Sequence, residues 1–318
     1  MRLSIYIAYC QPYSDKMVTI HIVDAFTDTP ETGNRAGVVL DAGALNATEM
    51  QDIAAFAGFS ETAFVLPAQG PDHDLQVRYF TPQIEVPICG HATIATHYLR
   101  ALLAGDTSYS LNALTGAGIL PVDITTVNQE LRVSMTQGAV EYGPLLNNVE
   151  RVLLAAALGL EQSDFVDGLP AQIVSTGHSK VIIPIQSRDV LDGLEPDAEK
   201  LALLSKKIGC NGFFPVVLDR SGGELETYGR MFAPAIGIAE DPVTGNANGP
   251  TGAYLVKHGI IQLADSFSYQ GHQGHKMGKP GTVFVTLSLN GENLIVQIAG
   301  RAVRVGELNY SPNAEQPH

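Results

Sequence analysis

RYFTPQIEVPICGH, residues Arg78 to His91, and RMFAPAIGIAEDPVTGN, residues Arg230 to Asn246, are one pattern written twice. Arg78, Phe80, Pro82 and Ile84 each meet the same residue 152 positions on, at Arg230, Phe232, Pro234 and Ile236. Both copies then run through a glycine into a segment ending in Tyr-Leu, GHATIATHYL at 90–99 and GNANGPTGAYL at 245–255, where the offset is 155. Two weaker echoes lie upstream of these. TGNRAGVVL at 32–40 answers TGHSKVIIP at 176–184, and AFAGFSETAF at 55–64 answers KIGCNGFF at 207–214 with Gly58 on Gly209. Four echoes in the same order predict two similar lobes in one chain. The cleft between them is where chemistry is expected.

Length and composition agree. A chain of 318 residues is long for one core and divides naturally into two. A hydrophobic content of 45% with 16% charged residues excludes a disordered chain. The net charge of −14 argues against nucleic acid or an anionic membrane as partner, since either needs clustered Lys and Arg. It leaves room for a small acidic metabolite, because local helix termini can override global charge. Cysteines at 10, 89 and 210 are too few and too scattered for a disulfide framework, which suggests a reducing cytoplasm. No apolar run approaches the roughly 20 residues that cross a bilayer.

The expected organisation is an N-terminal tail or upstream start at 1–16, a first lobe at 17–137, a second at 138–310 whose last strand returns to the first, and a tail at 311–318. The fold class is α+β. Asn46 with Glu49 makes a capping box ahead of Met50, Ile53, Ala54 and Ala57, and Gly58 ends that helix. Asp197 caps a second helix bearing Leu201, Leu204 and Ile208, with Gly209 as its stop. Each leads into an apolar strand, TAFVLP or FFPVVL. No GxGxxG follows a strand and no GxxxxGK[ST] occurs, so nucleotide cofactors lose their usual support. His73, His91 and His97 form no HExxH, and HQGH at 272–275 reads as a loop, so no metal is expected. No GxSxG elbow is present either.

Five segments together resemble the PhzF-like isomerases of phenazine biosynthesis: VDAFTDTPETGNRAGVVL at 23–40, SETAFVLP at 60–67, RYFTPQIEVPICGHAT at 78–93, EDPVTGNANGP at 240–250 and GHQGHKMGKPG at 271–281. The resemblance implies the diaminopimelate epimerase fold, with two lobes that each wrap a barrel-like sheet around a central helix. It also implies a cofactor-independent isomerase acting on a small, cyclic acid, and by analogy a homodimer. The members most like this chain are of unassigned substrate.

Site residues follow from the same resemblance. The glutamate of the SET motif, here Glu61, is the family's proton-transfer group, and His91 and Asp241 align with residues that orient substrate or support the transfer. Cofactor-free proton transfer at carbon is work for a carboxyl group in apolar surroundings, and Glu61 stands between Phe59 and AFVL. On position alone Glu61 reads as a solvated strand-end carboxylate and His91 as a buried structural histidine; the resemblance reverses the reading for Glu61. Gly90 and Gly245 each begin a predicted helix, with Pro250 placed in a first turn. The N–H groups at two such starts, contributed by Gly90 and Ala92 and by Gly245, Asn246 and Ala247, would clamp a carboxylate. Gln273 and Gly274 complete the substrate-binding set.

The chain departs from the family pattern in two places. Asn246 stands where the phenazine enzyme has a serine, and Cys89 directly precedes Gly90. In diaminopimelate epimerases a cysteine precedes the corresponding glycine in each lobe and two thiols share the work. Here the second position is Thr244, a pairing that resembles the hydroxyproline dehydratases. An epimerase or dehydratase using Cys89 with Thr244 is therefore an alternative, beside an inert buried thiol. A non-catalytic binder of an acidic metabolite is the third reading.

Overall fold

The structure is a computed structural model that describes residues 17–312. The expected tail at 1–16 lies outside the described residues, as do residues 313–318. Six helices are present among those described: α1 Ala47–Ala57, α2 Gly90–Ala104, α3 Asn148–Leu158, α4 Arg188–Gly193, α5 Ala198–Ile208 and α6 Gly245–Lys257. None is long and apolar enough to cross a membrane.

The repeat in the letters is a repeat in strand pairing. In the first half the hydrogen-bonded order is Ala302–Tyr310, Val18–Ala25, Asn34–Val39, Thr62–Pro67, Leu75–Phe80, Tyr109–Thr115, Gly118–Val127 and Glu130–Thr136. In the second it is Glu141–Leu145, Gln172–Ser175, Lys180–Pro184, Phe213–Asp219, Glu226–Gly229, Ser266–Gln273, Gly281–Asn290 and Asn293–Gly300. Both orders are antiparallel at every step except the third and the fifth, which are parallel. The last strands of the two halves, Glu130–Thr136 and Asn293–Gly300, then pair with each other and join the lobes. The strand at the head of the first order, Ala302–Tyr310, comes from the far end of the chain and returns to the first lobe.

Register confirms the alignment residue by residue. Gly37 N–H donates to the Glu61 carbonyl, and Val181 N–H donates to the Gly212 carbonyl, so Glu61 and Gly212 occupy the same place in their lobes. The same frame sets Asn34 against His178 and Ala36 against Lys180.

Local chemistry fixes the outer helices. Asn46 Oδ1 accepts from the N–H groups of Thr48 and Glu49, Glu49 Oε2 accepts from Asn46 N–H, and Gly58 closes α1 in the left-handed region at φ 67°. Such a cap is worth about 1 kcal/mol. Asp197 and Gly209 do the same for α5. Helix α1 lays Met50, Ile53 and Ala54 against the outside of the first lobe, and α3 and α5 cover the second. Helices α2 and α6 instead run through one shared core that spans both lobes.

Pro250 lies further inside α6 than the sequence pattern suggested, at the sixth helical residue. The helix begins at Gly245, so Pro250 removes an interior hydrogen bond, the one to the Asn246 carbonyl, rather than one of the four that a helix start lacks anyway. HQGH is also more ordered than a loop: His272 and Gln273 end a strand, and His275 opens a short 3₁₀ turn.

The Arg-x-Phe-x-Pro repeat is a pair of clamps. Arg78 holds Glu85 through two hydrogen bonds of 2.7 Å, and Arg230 holds Glu240 through two of 2.9 and 2.8 Å. Each guanidinium lies over the phenylalanine two residues on, 5.1 Å from the Phe80 ring centre and 4.9 Å from that of Phe232. The clamped strands, Glu85–Val86 and Ile238–Asp241, lead directly to the starts of α2 and α6.

Candidate active site

Cys89 is the residue before α2 and Thr244 the residue before α6, so the two helix starts are built alike. They approach each other across Ile298, on the strand that joins the lobes. A methyl group on Gly90 would lie 3.8 Å from Ile298 Cδ1, and one on Gly245 would collide with that atom. A cavity of about 560 Å³ opens where the helix starts meet, walled by both lobes.

Glu61, Cys89 and His91 form its first-lobe wall. His91 Nε2 lies 3.3 Å from Glu61 Oε2 and 3.4 Å from Ser60 Oγ, while His91 Nδ1 is 3.4 Å from Cys89 Sγ. The donor atoms of Glu61, Cys89 and His91 all fall within 4.8 Å of one another, the spacing that a metal ion would need. Burial pushes the Cys89 thiol well above its ordinary range, and the neighbouring Glu61 carboxylate adds to the effect. Ala92 N–H is directed at this sulfur.

Asp241 forms the opposite side. Its carboxyl accepts from Asn34 Nδ2 at 2.9 Å and from the Thr244 hydroxyl. Asn34 also donates to the Val243 carbonyl at 2.9 Å, which ties a first-lobe strand to the second-lobe helix start. Burial raises the Asp241 carboxyl above the usual carboxylate range, opposed by the nearby His91 and by the Thr244 hydrogen bond.

The fold thus brings Glu61, Cys89, Gly90, His91, Asp241, Thr244, Gly245 and Asn246 to one cavity. Four other residues do not line it. Ala92 and Ala247 are fully buried, and Ala247 N–H is bonded back to the Thr244 carbonyl, so the open donors of that helix start belong to Gly245 and Asn246. Gln273 stands behind the wall, 1% exposed; its amide donates to the Asp241 carbonyl and the Thr244 hydroxyl, and its oxygen accepts from Thr244 N–H and Asn248. Gly274, at φ 86°, makes the turn behind it. Gln273 thereby braces the end of the strand that carries Asp241.

Among the cavity residues that escaped the sequence reading are Asn34, His178 and Lys180. Asn34 was within reach, because TGN occurs at 32–34 and again at 244–246. Lys180 left a fainter sign, a lysine heading the otherwise apolar strand KVIIP. Gln137 was beyond sequence reasoning: it crosses to α6 and holds Asn246 Oδ1 at 3.0 Å and the Gly245 carbonyl at 3.2 Å.

Fold and cleft together define a two-lobed protein of the diaminopimelate epimerase type. Residues 23–307 match the family described as phenazine biosynthesis-like protein, PhzC-PhzF, and the chain belongs to that family of isomerases. It is 46% identical to the uncharacterized isomerase YddE of Escherichia coli strain K12, over 89% of this chain and 95% of that one. The trans-2,3-dihydro-3-hydroxyanthranilate isomerase of Pseudomonas chlororaphis is 32% identical over 90% of this chain and 96% of its own. Among solved structures, the Bacillus anthracis phenazine biosynthesis protein of the PhzF family superposes with a TM-score of 0.85 at 36% identity, covering 93% of this chain and 99% of that one.

Proposed function

We propose that the protein is a cofactor-independent isomerase that moves a proton between two carbons of a small, cyclic carboxylic acid, with Glu61 as base and then as acid. The observation that carries this reading is one-sidedness. Glu61 reaches the cavity from the first lobe, and the same position in the second lobe is Gly212, which has no side chain to receive or return a proton from the opposite face. One carboxyl group then serves both half-steps on one face of the substrate. Removal of a proton from carbon leaves charge that collects on the substrate's oxygens, and the N–H groups at the starts of α2 and α6 can hold those oxygens. His91, 3.3 Å from Glu61, positions the carboxyl from the same wall of the cavity. The relative that acts on a hydroxyanthranilate supports a cyclic acid as the substrate class.

The same geometry speaks against Cys89 with Thr244 as an acid–base pair. The thiol is pushed away from the thiolate form that would be needed, and the Thr244 hydroxyl donates to Asp241. The test is solvent deuterium incorporation into a panel of cyclic acids by wild type, Glu61→Gln and Cys89→Ser. Loss of exchange in Glu61→Gln with retention in Cys89→Ser is the expected outcome. Unchanged exchange in Glu61→Gln overturns the reading.

A further inference from the structure

The second lobe is not bare where it lacks Glu61. Lys180 heads the strand Lys180–Pro184, and its stem runs past Gly212: a methyl group on Gly212 would lie 3.2 Å from Lys180 Cδ. The lysine stem thus lies against the backbone position from which Glu61 projects in the first lobe, and Lys180 lines the same cavity. In the first lobe the residue matching Lys180 is Ala36, so the two lobes have exchanged which position carries the functional side chain.

Lys180 is also poorly satisfied for a buried cation. It is 4% exposed, and among the described residues its one hydrogen bond is to the Ser179 carbonyl at 3.3 Å. An ammonium group has three N–H donors, and a buried one without partners costs several kcal/mol. Of the other cations that line the cavity, Arg35 is neutralised by Asp24 through bonds of 2.7 and 3.0 Å, and Lys279 is exposed. Asp241 and Cys210 are the groups whose charge Lys180 feels, and no carboxylate among the described residues lies within ion-pair distance of it. The Asp241 carboxyl is already engaged by Asn34 and Thr244. Burial pushes the ammonium group toward its neutral form, as expected for a cation whose counter-ion is missing.

We propose that Lys180 is a substrate-binding residue whose ammonium group takes a second acidic group of the ligand, so that the substrate is a small acid with two acidic groups, in its simplest form a dicarboxylic acid. One carboxylate rests on the helix starts at Gly90 and Gly245. The other rests on Lys180, across the cavity wall, and supplies the partner that the protein does not. This deepens the isomerase reading and rests on the same cavity as its reaction site.

The probes are succinate, glutarate and adipate, each titrated calorimetrically against the monoacid of equal length: butyrate, valerate and caproate. The series is used because it covers a range of carboxylate separations. A charge-assisted hydrogen bond predicts that wild type prefers at least one diacid over its monoacid by about 10- to 100-fold. Lys180→Met should bring that pair to equal affinity, and Lys180→Arg should keep the preference. Melting temperature serves as the folding control and should not fall in Lys180→Met, because an isolated buried charge has been removed. A wild type with no preference for any diacid, or one that binds none of them at millimolar concentration, overturns the inference. So does a preference that survives in Lys180→Met. The two readings fail separately: loss of exchange in Glu61→Gln without diacid preference sinks only this one, and diacid preference with unchanged exchange in Glu61→Gln sinks only the isomerase mechanism.

Discussion

Replacing Arg230 by Met should cost far more stability than the same change at Arg78, although the sequence repeat makes the two look equivalent. Arg230 is 7% exposed and makes four hydrogen bonds, two to the Glu240 carboxylate and two to the carbonyls of Leu191 and Leu194 at 3.0 and 2.9 Å. Without the guanidinium, a carboxylate only 17% exposed and two carbonyls lose their donors together. Breaking a buried pair on one side costs about 3–5 kcal/mol, and the partial access of water to Glu240 places this case near the lower end. Arg78 and Glu85 are 23% and 43% exposed, so water replaces the lost partner and the cost is about 0–1 kcal/mol. Urea unfolding of the two variants beside wild type measures the difference directly. Arg230→Lys should not rescue, because a point charge cannot span a carboxylate and two carbonyls at once. The strand Ile238–Asp241 that Arg230 clamps also delivers Asp241 to the cavity, so Arg230→Met should lower deuterium exchange where Arg78→Met leaves it near wild type. Equal unfolding costs in the two variants, or a cost at Arg230 below about 1 kcal/mol, would refute the reasoning.

Three further outcomes are expected. Cys89 in the native protein should react with iodoacetamide at neutral pH much more slowly than in the urea-unfolded chain, since burial holds the thiol protonated; equal rates would contradict this. Gly245→Ala should destabilise by about 1–3 kcal/mol through collision with the fully buried Ile298, while Gly90→Ala, with 3.8 Å of room, should be near neutral; thermal melts compare them. The folded state lowers the proton affinity of Lys180, so the unfolded chain holds that proton more tightly and wild type gains stability as pH rises from the folded value toward the ordinary lysine range. Lys180→Met lacks this component, and its stability advantage over wild type should shrink along the same pH interval in urea titrations.

The duplication gives the cleft its symmetry, and the substitutions within it give a direction. Eight strands pair in the same order in each lobe, two helix starts meet across one isoleucine, and two arginine clamps hold the arms that lead to them. Upon this frame Glu61 faces Gly212, Cys89 faces Thr244, and Ala36 faces Lys180. An acid on one wall and a cation on the other is an arrangement that two identical lobes could not have offered.

How much of this was legible in the letters depends on the distance over which each interaction acts. The capping box at Asn46, the Asp197 cap, the glycine stops and the paired helix starts are set by residues three or four apart, so spacing alone revealed them, and the repeat revealed the two lobes. Helix α6 starts at Gly245 as the spacing predicts, but Pro250 is its sixth residue and so lies one turn further in than the first-turn position expected for it. Asn34 meets Asp241 across 207 residues, and Gln137 meets Asn246 across 109. Gln273, expected to bind substrate, instead turns its amide inward onto the backbone at Asp241 and Thr244. Lys180 is an ordinary strand lysine until the Gly212 backbone clears a path for its stem. These are contacts between elements far apart in the chain, made by packing that no local period encodes. Spacing and the repeat were enough to read two lobes and a carboxyl group at position 61 beside their cleft. Which side chains stand across the cavity from that carboxyl depends on how the two halves close on each other, and no local pattern carries it.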